Sequence, residues 1–183
     1  MSAKPGLPEF KSLLTAGLPE LGPGPRAGVM FKSALAAALD PLLKAAALPP
    51  VSRALIRSLF LLWHDHFDAA HEIAQSVANA DGSFLHGILH RREPDYGNAA
   101  YWFRRVGHHA TFPELASRVG KLLDSKNETS LKSELIPGGQ WDAFAFINLC
   151  EKAAGKPPSD GSVKLPREIQ GIESEVLLEH LLA

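Results

Sequence analysis

The apolar residues of this chain recur at the three- and four-residue spacing of an α-helix and almost nowhere alternate. In residues 68–78, for example, Ala70, Ile73, Ala74 and Val77 fall on one helical face. A half-buried strand needs apolar and polar residues to alternate over four to eight positions, and the chain offers almost no such stretch. The spacing therefore predicts an all-α fold.

Prolines and glycines divide the chain into a Pro- and Gly-rich lead-in at 1–26 and a single all-helical domain at 27–183. A short helix at 8–16 is predicted inside the lead-in. Residues 125–130 are polar and predict a loop, and 156–166 predict a linker. The pattern favours a bundle of about seven or eight helices. The helical segments of the domain are predicted at 31–39, from Asp40–Pro41 onward, and at 52–66, 68–78, 83–93, 95–106, 112–123, 141–154 and 167–182.

Charge and cysteine content exclude several classes of protein. The 183 residues include 19 Lys and Arg against 20 Asp and Glu, so the formal charge is −1 and no nucleic-acid partner is expected. The single cysteine, Cys150, excludes an internal disulfide and a multi-cysteine zinc site. It also favours a reducing, cytoplasmic location. The longest apolar stretch, 33–48, is interrupted by charged residues, so no membrane span is expected.

A weak internal repeat lies in the middle of the chain, where residues 65–77 can be aligned with 94–106. Asn98–Arg105, read as NAAYWFRR, resembles part of a tetratricopeptide repeat, and this likeness covers 65–110. The resemblance implies a helical hairpin at the centre of the bundle. Residues 86–105 are also similar to a segment of an uncharacterised family of bacterial and fungal proteins. That second resemblance implies no activity.

Histidines concentrate in the same central region. Seven of the eight histidines lie between His64 and His109. His86, His90 and Glu93 fall on one side of their predicted helix, so the spacing His-x3-His-x2-Glu directs three ligand groups toward one point. Imidazole and carboxylate ligands together suit Zn, Fe, Mn or Ni. The sequence thus supports the hypothesis of a divalent metal site.

The preceding helix carries a similar set, His64-x3-Asp68-x2-His71. If the two helices form a hairpin, His64 or His71 completes the metal shell of His86 and His90. A metal-dependent enzyme would further need an open coordination position and a general base. On the alternative reading, the polar flank of this preceding helix is simply exposed to solvent.

A second hypothesis makes the same region a binding or interaction module. Asn98, Trp102 and Arg105 share one side of a helix, and an arginine beside a tryptophan can hold a carboxylate or phosphate of a stacked ligand. The expected ligand is a small polar or anionic molecule, or a peptide. The predicted ligand-binding residues are His86, His90, Arg91, Asp95, Asn98, Trp102 and Arg105.

A third hypothesis treats the polar residues as a structural network. Arg92 falls at the centre of an apolar helical face, so either the helix ends before it or Arg92 is buried and must be paired. Asp95 and Glu72 are its candidate partners.

The remaining polar residues of this region carry simpler predictions. Asp81–Gly82 predicts only a turn, and His109 is assigned to a loop. A metal site predicts converging ligands, a binding module predicts a pocket at Trp102, and a structural network predicts paired arginines.

Overall fold

The computed structural model of the protein describes residues 6–157 and 159–183, and every regular element in those ranges is helical. The all-α prediction is therefore confirmed. The α-helices number ten within these ranges, more than the seven or eight predicted, and a 3-10 turn lies at Pro137–Gly139. The helices are α1 (Leu7–Lys11), α2 (Lys32–Ala46), α3 (Pro50–Trp63), α4 (Phe67–Gln75), α5 (Ala80–Arg92), α6 (Tyr96–Val106), α7 (Phe112–Ser125), α8 (Thr129–Leu135), α9 (Ala143–Ala153) and α10 (Gly161–Leu182).

The short helix predicted at 8–16 spans only Leu7–Lys11. Three further predicted boundaries are wrong, and each of these errors has a physical cause. Helix α2 continues through Pro41 because Leu39 and Leu43, on either side of it, are both buried in the core. Helix α8 occupies part of the predicted loop and is anchored by the buried Leu135. Helix α10 begins inside the predicted linker, where the Asp160 carboxylate accepts a hydrogen bond from the Ser162 N–H at 2.8 Å.

Helix α5 lies at the centre of the bundle. It packs against α3, α4 and α6, while the long α10 packs against α3, α7 and α9. Gly87 permits the close approach of α6, because a Cβ atom there would lie 2.7 Å from the ring of Phe103. No helix in the described ranges is long and apolar enough to cross a lipid bilayer. Because α5 packs against α3, α4 and α6, its polar side chains are enclosed by protein on several sides.

Two neighbouring arginines of α5 are buried in opposite directions. Arg91 forms an ion pair with Glu173 of α10, and its guanidinium lies 4.4 Å from the centroid of the Phe146 ring. Arg92 bonds to Asp65 at 2.6 Å, so the proposed partners Asp95 and Glu72 are wrong. Both arginines hold helices together.

Asp65 also fixes the segment that precedes α2. The Arg26 backbone N–H donates to its carboxylate at 2.8 Å, and the Arg26 side chain donates to the same oxygen at 3.0 Å. Burial would raise the pKa of Asp65, but hydrogen bonds from Arg92 and Arg26 bring it below its ordinary value. Phe10 and Leu21 of the predicted lead-in are buried in the core. Part of the lead-in therefore packs onto the helical domain.

Candidate metal centre

Three histidines converge at the contact between α4 and α5. His71 extends from α4, while His86 and His90 are one helical turn apart on α5 and so share a face. One ring nitrogen from each lies within 4.8 Å of the others. The ring of His71 meets those of His86 and His90 edge-on, with centroids 4.6 and 5.4 Å away. We call these residues the three-histidine cluster.

The nitrogens of this cluster are buried without their usual hydrogen-bond partners. Nδ1 and Nε2 of His86, together with Nδ1 of His90, have no hydrogen bond to any residue in 6–157 or 159–183. Leaving a buried polar group unsatisfied costs about 1–3 kcal/mol. The lone pairs of the cluster are thus available to a ligand that the folded chain itself does not supply.

Burial also sets the protonation of the cluster. Burial, together with the neighbouring His71 and His90, lowers the pKa of His86 to about 4. Burial lowers the pKa of His90 too, although the nearby Glu93 opposes that shift. Neutral imidazole is the form that binds a metal ion, so His86 is ready to do so at neutral pH.

Carboxylates border the cluster on the solvent side. Glu93 Oε2 lies 3.1 Å from His90 Nδ1, and Asp95 Oδ2 lies 3.9 Å from the same nitrogen. The Glu93 contact has the distance of an ion pair but not the angle of a hydrogen bond. Of the predicted set, His86 and His90 are brought together with His71 of α4, while Glu93 lies beside His90 alone.

Aromatic stacking holds His86 in position. The Trp102 ring lies nearly parallel to the imidazole of His86, with the centroids 3.9 Å apart. On α6, the Arg105 guanidinium lies 5.4 Å from the Trp102 ring centroid. Trp102 and Arg105 thus support the cluster from behind and are not themselves metal ligands.

His64, a predicted metal ligand, lies elsewhere. It is fully buried at the end of α3, where its Nδ1 accepts the Met30 N–H at 3.2 Å and its Nε2 donates to the Leu13 carbonyl at 2.9 Å. Both ring nitrogens of His64 therefore already have hydrogen-bond partners, so a structural role explains this residue without a metal ion. His71 is the histidine of the preceding segment that joins the cluster.

The predicted ligand-binding residues do not all face one pocket. Arg91 turns into the core toward Glu173, whereas Asp95 caps α6 and accepts hydrogen bonds from the backbone and side chain of Asn98. A cavity of about 530 Å³ is present, but Trp102 does not line it. Its lining residues are Phe103, Gly107, His108, His109, Phe112, Pro113, Pro137, Gly139, Gln140, Trp141, Asp142, Ala143 and Phe144.

A second polar cluster escaped prediction from the sequence. Asp81 of α5, His109 of the α6–α7 loop and His180 of α10 place one ligand atom each within 4.8 Å of the others. Asp81 lies within the first turn of α5, because Asn79 caps that helix through the Gly82 N–H; the turn predicted at Asp81–Gly82 is therefore wrong. We call Asp81, His109 and His180 the aspartate cluster. No local spacing connects residues so far apart in the chain.

Comparison of the chain with protein-family models, curated proteins and solved structures finds no match. The chemistry of the site must therefore be argued from its own residues. Three imidazoles and a neighbouring carboxylate form a donor set suited to a divalent transition metal.

Proposed function

We propose that this protein binds a divalent transition metal ion through His71, His86 and His90, with Glu93 as the fourth ligand. The observation that carries the proposal is the burial of both His86 ring nitrogens without a hydrogen-bond partner in the described ranges. A bound ion would turn this energetic penalty into a favourable interaction. Imidazole donors favour Zn, Fe or Ni, and a tetrahedral set of nitrogen and oxygen ligands favours Zn.

The position of Glu93 favours a structural or sensory ion over a catalytic one. Its carboxylate lies 3.1 Å from His90 Nδ1, close enough to become a ligand after a small side-chain rotation. Four protein ligands would fill a tetrahedral shell, whereas catalytic zinc sites keep one position for water or substrate. A metal-dependent enzyme remains the alternative if Glu93 acts as a base and leaves that position open.

A binding module at the same face has less support. Of its predicted residues, Arg91 is paired in the core, and Asp95 and Asn98 bond to each other. Trp102 is stacked on His86. Arg105 remains an exposed cation there, and it would allow a small anion or an acidic peptide to contact the outer side of Trp102.

We also propose that α4, α5 and α6 form the tetratricopeptide-like hairpin that the sequence suggests. Its support is the succession of packed neighbours, α4 on α5 and α5 on α6, and the complete burial of Ala70 and Ala99, which are aligned in the repeat. This helical hairpin would be the scaffold of the metal site.

We further propose a reducing, cytoplasmic setting, which rests on the single, buried Cys150.

Elemental analysis tests the proposed function. Protein purified without a histidine tag or chelator should contain at least one equivalent of a transition metal, or bind at least one equivalent of added Zn²⁺. The variant H86Q/H90Q should bind one equivalent less than the parent, and circular dichroism should show its helices retained. The matched control is H66A/H108A, which also removes two histidines but neither member of the cluster. Equal zinc binding by the parent and H86Q/H90Q would refute the proposal.

A further inference from the structure

The aspartate cluster joins three distant parts of the chain. Asp81 lies at the start of α5, His109 precedes α7, and His180 lies near the end of α10. The proposed function does not use any of these residues. We propose that the aspartate cluster is a second site for a divalent transition metal ion, of the two-histidine, one-carboxylate type.

The ligand atoms are already close to the positions that an ion requires. Asp81 Oδ1 lies 2.9 Å from Nε2 of His109 and 2.9 Å from Nε2 of His180. Metal–ligand bonds of about 2.0–2.2 Å place neighbouring ligand atoms roughly 3.3 Å apart. The cluster therefore needs to expand by only a few tenths of an ångström at each contact to accept an ion.

Thr111 gives His109 the support that metal-bound histidines commonly have. His109 Nδ1 lies 2.8 Å from Thr111 Oγ1, at the far side of the ring from Asp81. The Thr111 backbone N–H also donates to Nδ1, at 3.2 Å. With the ring proton moved to Nδ1, that bond is given up, the nitrogen donates to the Thr111 hydroxyl, and the Nε2 lone pair points at the ion. The change moves one proton from Nε2 to Nδ1 of the same ring and releases none. Such outer hydrogen bonds fix the orientation of a ligating imidazole.

Charge and access also favour an ion at this position. The hydrogen bond from His109 lowers the pKa of Asp81, so its carboxylate is charged at neutral pH. No lysine or arginine in the described ranges forms an ion pair with Asp81. The side chains of Asp81 and His180 are 24% and 35% exposed, whereas that of His109 is 3% exposed. An ion can therefore enter from the Asp81 and His180 side.

The variant D81N distinguishes a metal site from a cluster held together by hydrogen bonds alone. It keeps a side-chain carbonyl oxygen that can accept both imidazole N–H groups, so a cluster without an ion would retain its hydrogen bonds. It removes the charge that holds an ion. Isothermal titration of Zn²⁺ into the metal-free parent should show two binding events, and D81N should lose one of them or weaken it at least tenfold. H180Q, which removes a second ligand, should lose the same event, and H108A serves as the neighbouring control.

The outcomes separate this proposal from the proposed function. Loss of one event in D81N and H180Q, but not in H108A, supports the second site even if H86Q/H90Q leaves zinc binding unchanged. Identical titrations of the parent, D81N and H180Q would overturn the second site whether or not the three-histidine cluster binds zinc.

Discussion

Two histidine clusters share α5 and differ in how the protein satisfies them. In the aspartate cluster, the Asp81 carboxylate lies 2.9 Å from a ring nitrogen of each of two histidines. In the three-histidine cluster, no residue of the described ranges bonds to either ring nitrogen of His86. A bound ion would therefore add interactions to the three-histidine cluster, whereas in the aspartate cluster it would replace contacts that already exist.

This difference predicts an order of affinity. Binding to the aspartate cluster must break the hydrogen bond between His109 and the charged Asp81, worth about 1.5–3 kcal/mol, and the contact of His180 with the same oxygen. Binding to the three-histidine cluster breaks no comparable bond in the described ranges and relieves the desolvation of His86. We therefore expect the three-histidine cluster to fill with Zn²⁺ before the aspartate cluster.

The largest expected effect is stabilisation by zinc through the three-histidine cluster. At a free Zn²⁺ concentration of 100 times Kd, the folded state gains about 2.7 kcal/mol. For a chain of this size the melting temperature should rise by about 5–10 °C in differential scanning calorimetry. H86Q/H90Q should lose most of this shift, whereas H64A should melt lower yet keep it. A full shift in H86Q/H90Q would remove the contrast between the clusters.

Leucine substitutions should act with opposite signs in the metal-free protein. H86L replaces an unsatisfied buried ring by an apolar side chain, and we expect the free energy of unfolding to rise by about 1 kcal/mol. H109L leaves the Thr111 hydroxyl and the Asp81 carboxylate without their shared partner, and a loss of about 2 kcal/mol is expected. Urea denaturation in chelator measures both values. Destabilisation of similar size in the two variants would show that His86 is satisfied after all.

Acid should weaken the aspartate cluster. The hydrogen bond from His109 and the charge of His180 lower the pKa of Asp81 below its ordinary value, against the opposing effect of burial. The carboxylate therefore stabilises the folded state above about pH 4. That stability is lost as the pH falls through the lowered pKa. Compared with D81N, the metal-free parent should lose on the order of 1 kcal/mol more between pH 6 and pH 3. Parallel pH profiles for the two proteins would contradict this account of Asp81.

The smallest expected effect concerns the ring behind His86. W102F keeps an aromatic ring next to the imidazole but reduces the stacked area, a change of about 0.5–1 kcal/mol. Zinc affinity at the three-histidine cluster should fall by roughly two- to fivefold in isothermal titration, with no change at the aspartate cluster. The control is W63F, at a buried tryptophan whose indole N–H donates to the Thr15 carbonyl. An equal loss in both variants would indicate a general effect on the fold.

Local spacing was enough to predict part of the molecule. Helical period determines that His86 and His90 share a face of α5, and the sequence predicts this directly. The choice between His64 and His71 was not accessible, because it depends on the end of α3 at Trp63 and on the hydrogen bonds that Met30 and Leu13 offer to His64. Periodicity says nothing about partners from a distant part of the chain.

The aspartate cluster shows the same limit more strongly. Asp81, His109 and His180 meet only because α10 packs along α7 and brings the end of the chain back toward α5. Likewise, burial of Arg92 followed from its position on an apolar face, but its partner Asp65 depends on the turn after α3. Sequence patterns thus predict which face a residue occupies, whereas the packing of helices decides what it contacts.

The most direct test is a zinc titration followed by the ¹⁵N resonances of the histidine side chains. At one equivalent of Zn²⁺, the ring nitrogens of His71, His86 and His90 should move to metal-bound positions, while those of His109 and His180 stay unchanged. The second equivalent should then shift His109 and His180. Changes at His109 and His180 before His86, or no change at His86 with excess zinc, would contradict the distinction between the two clusters.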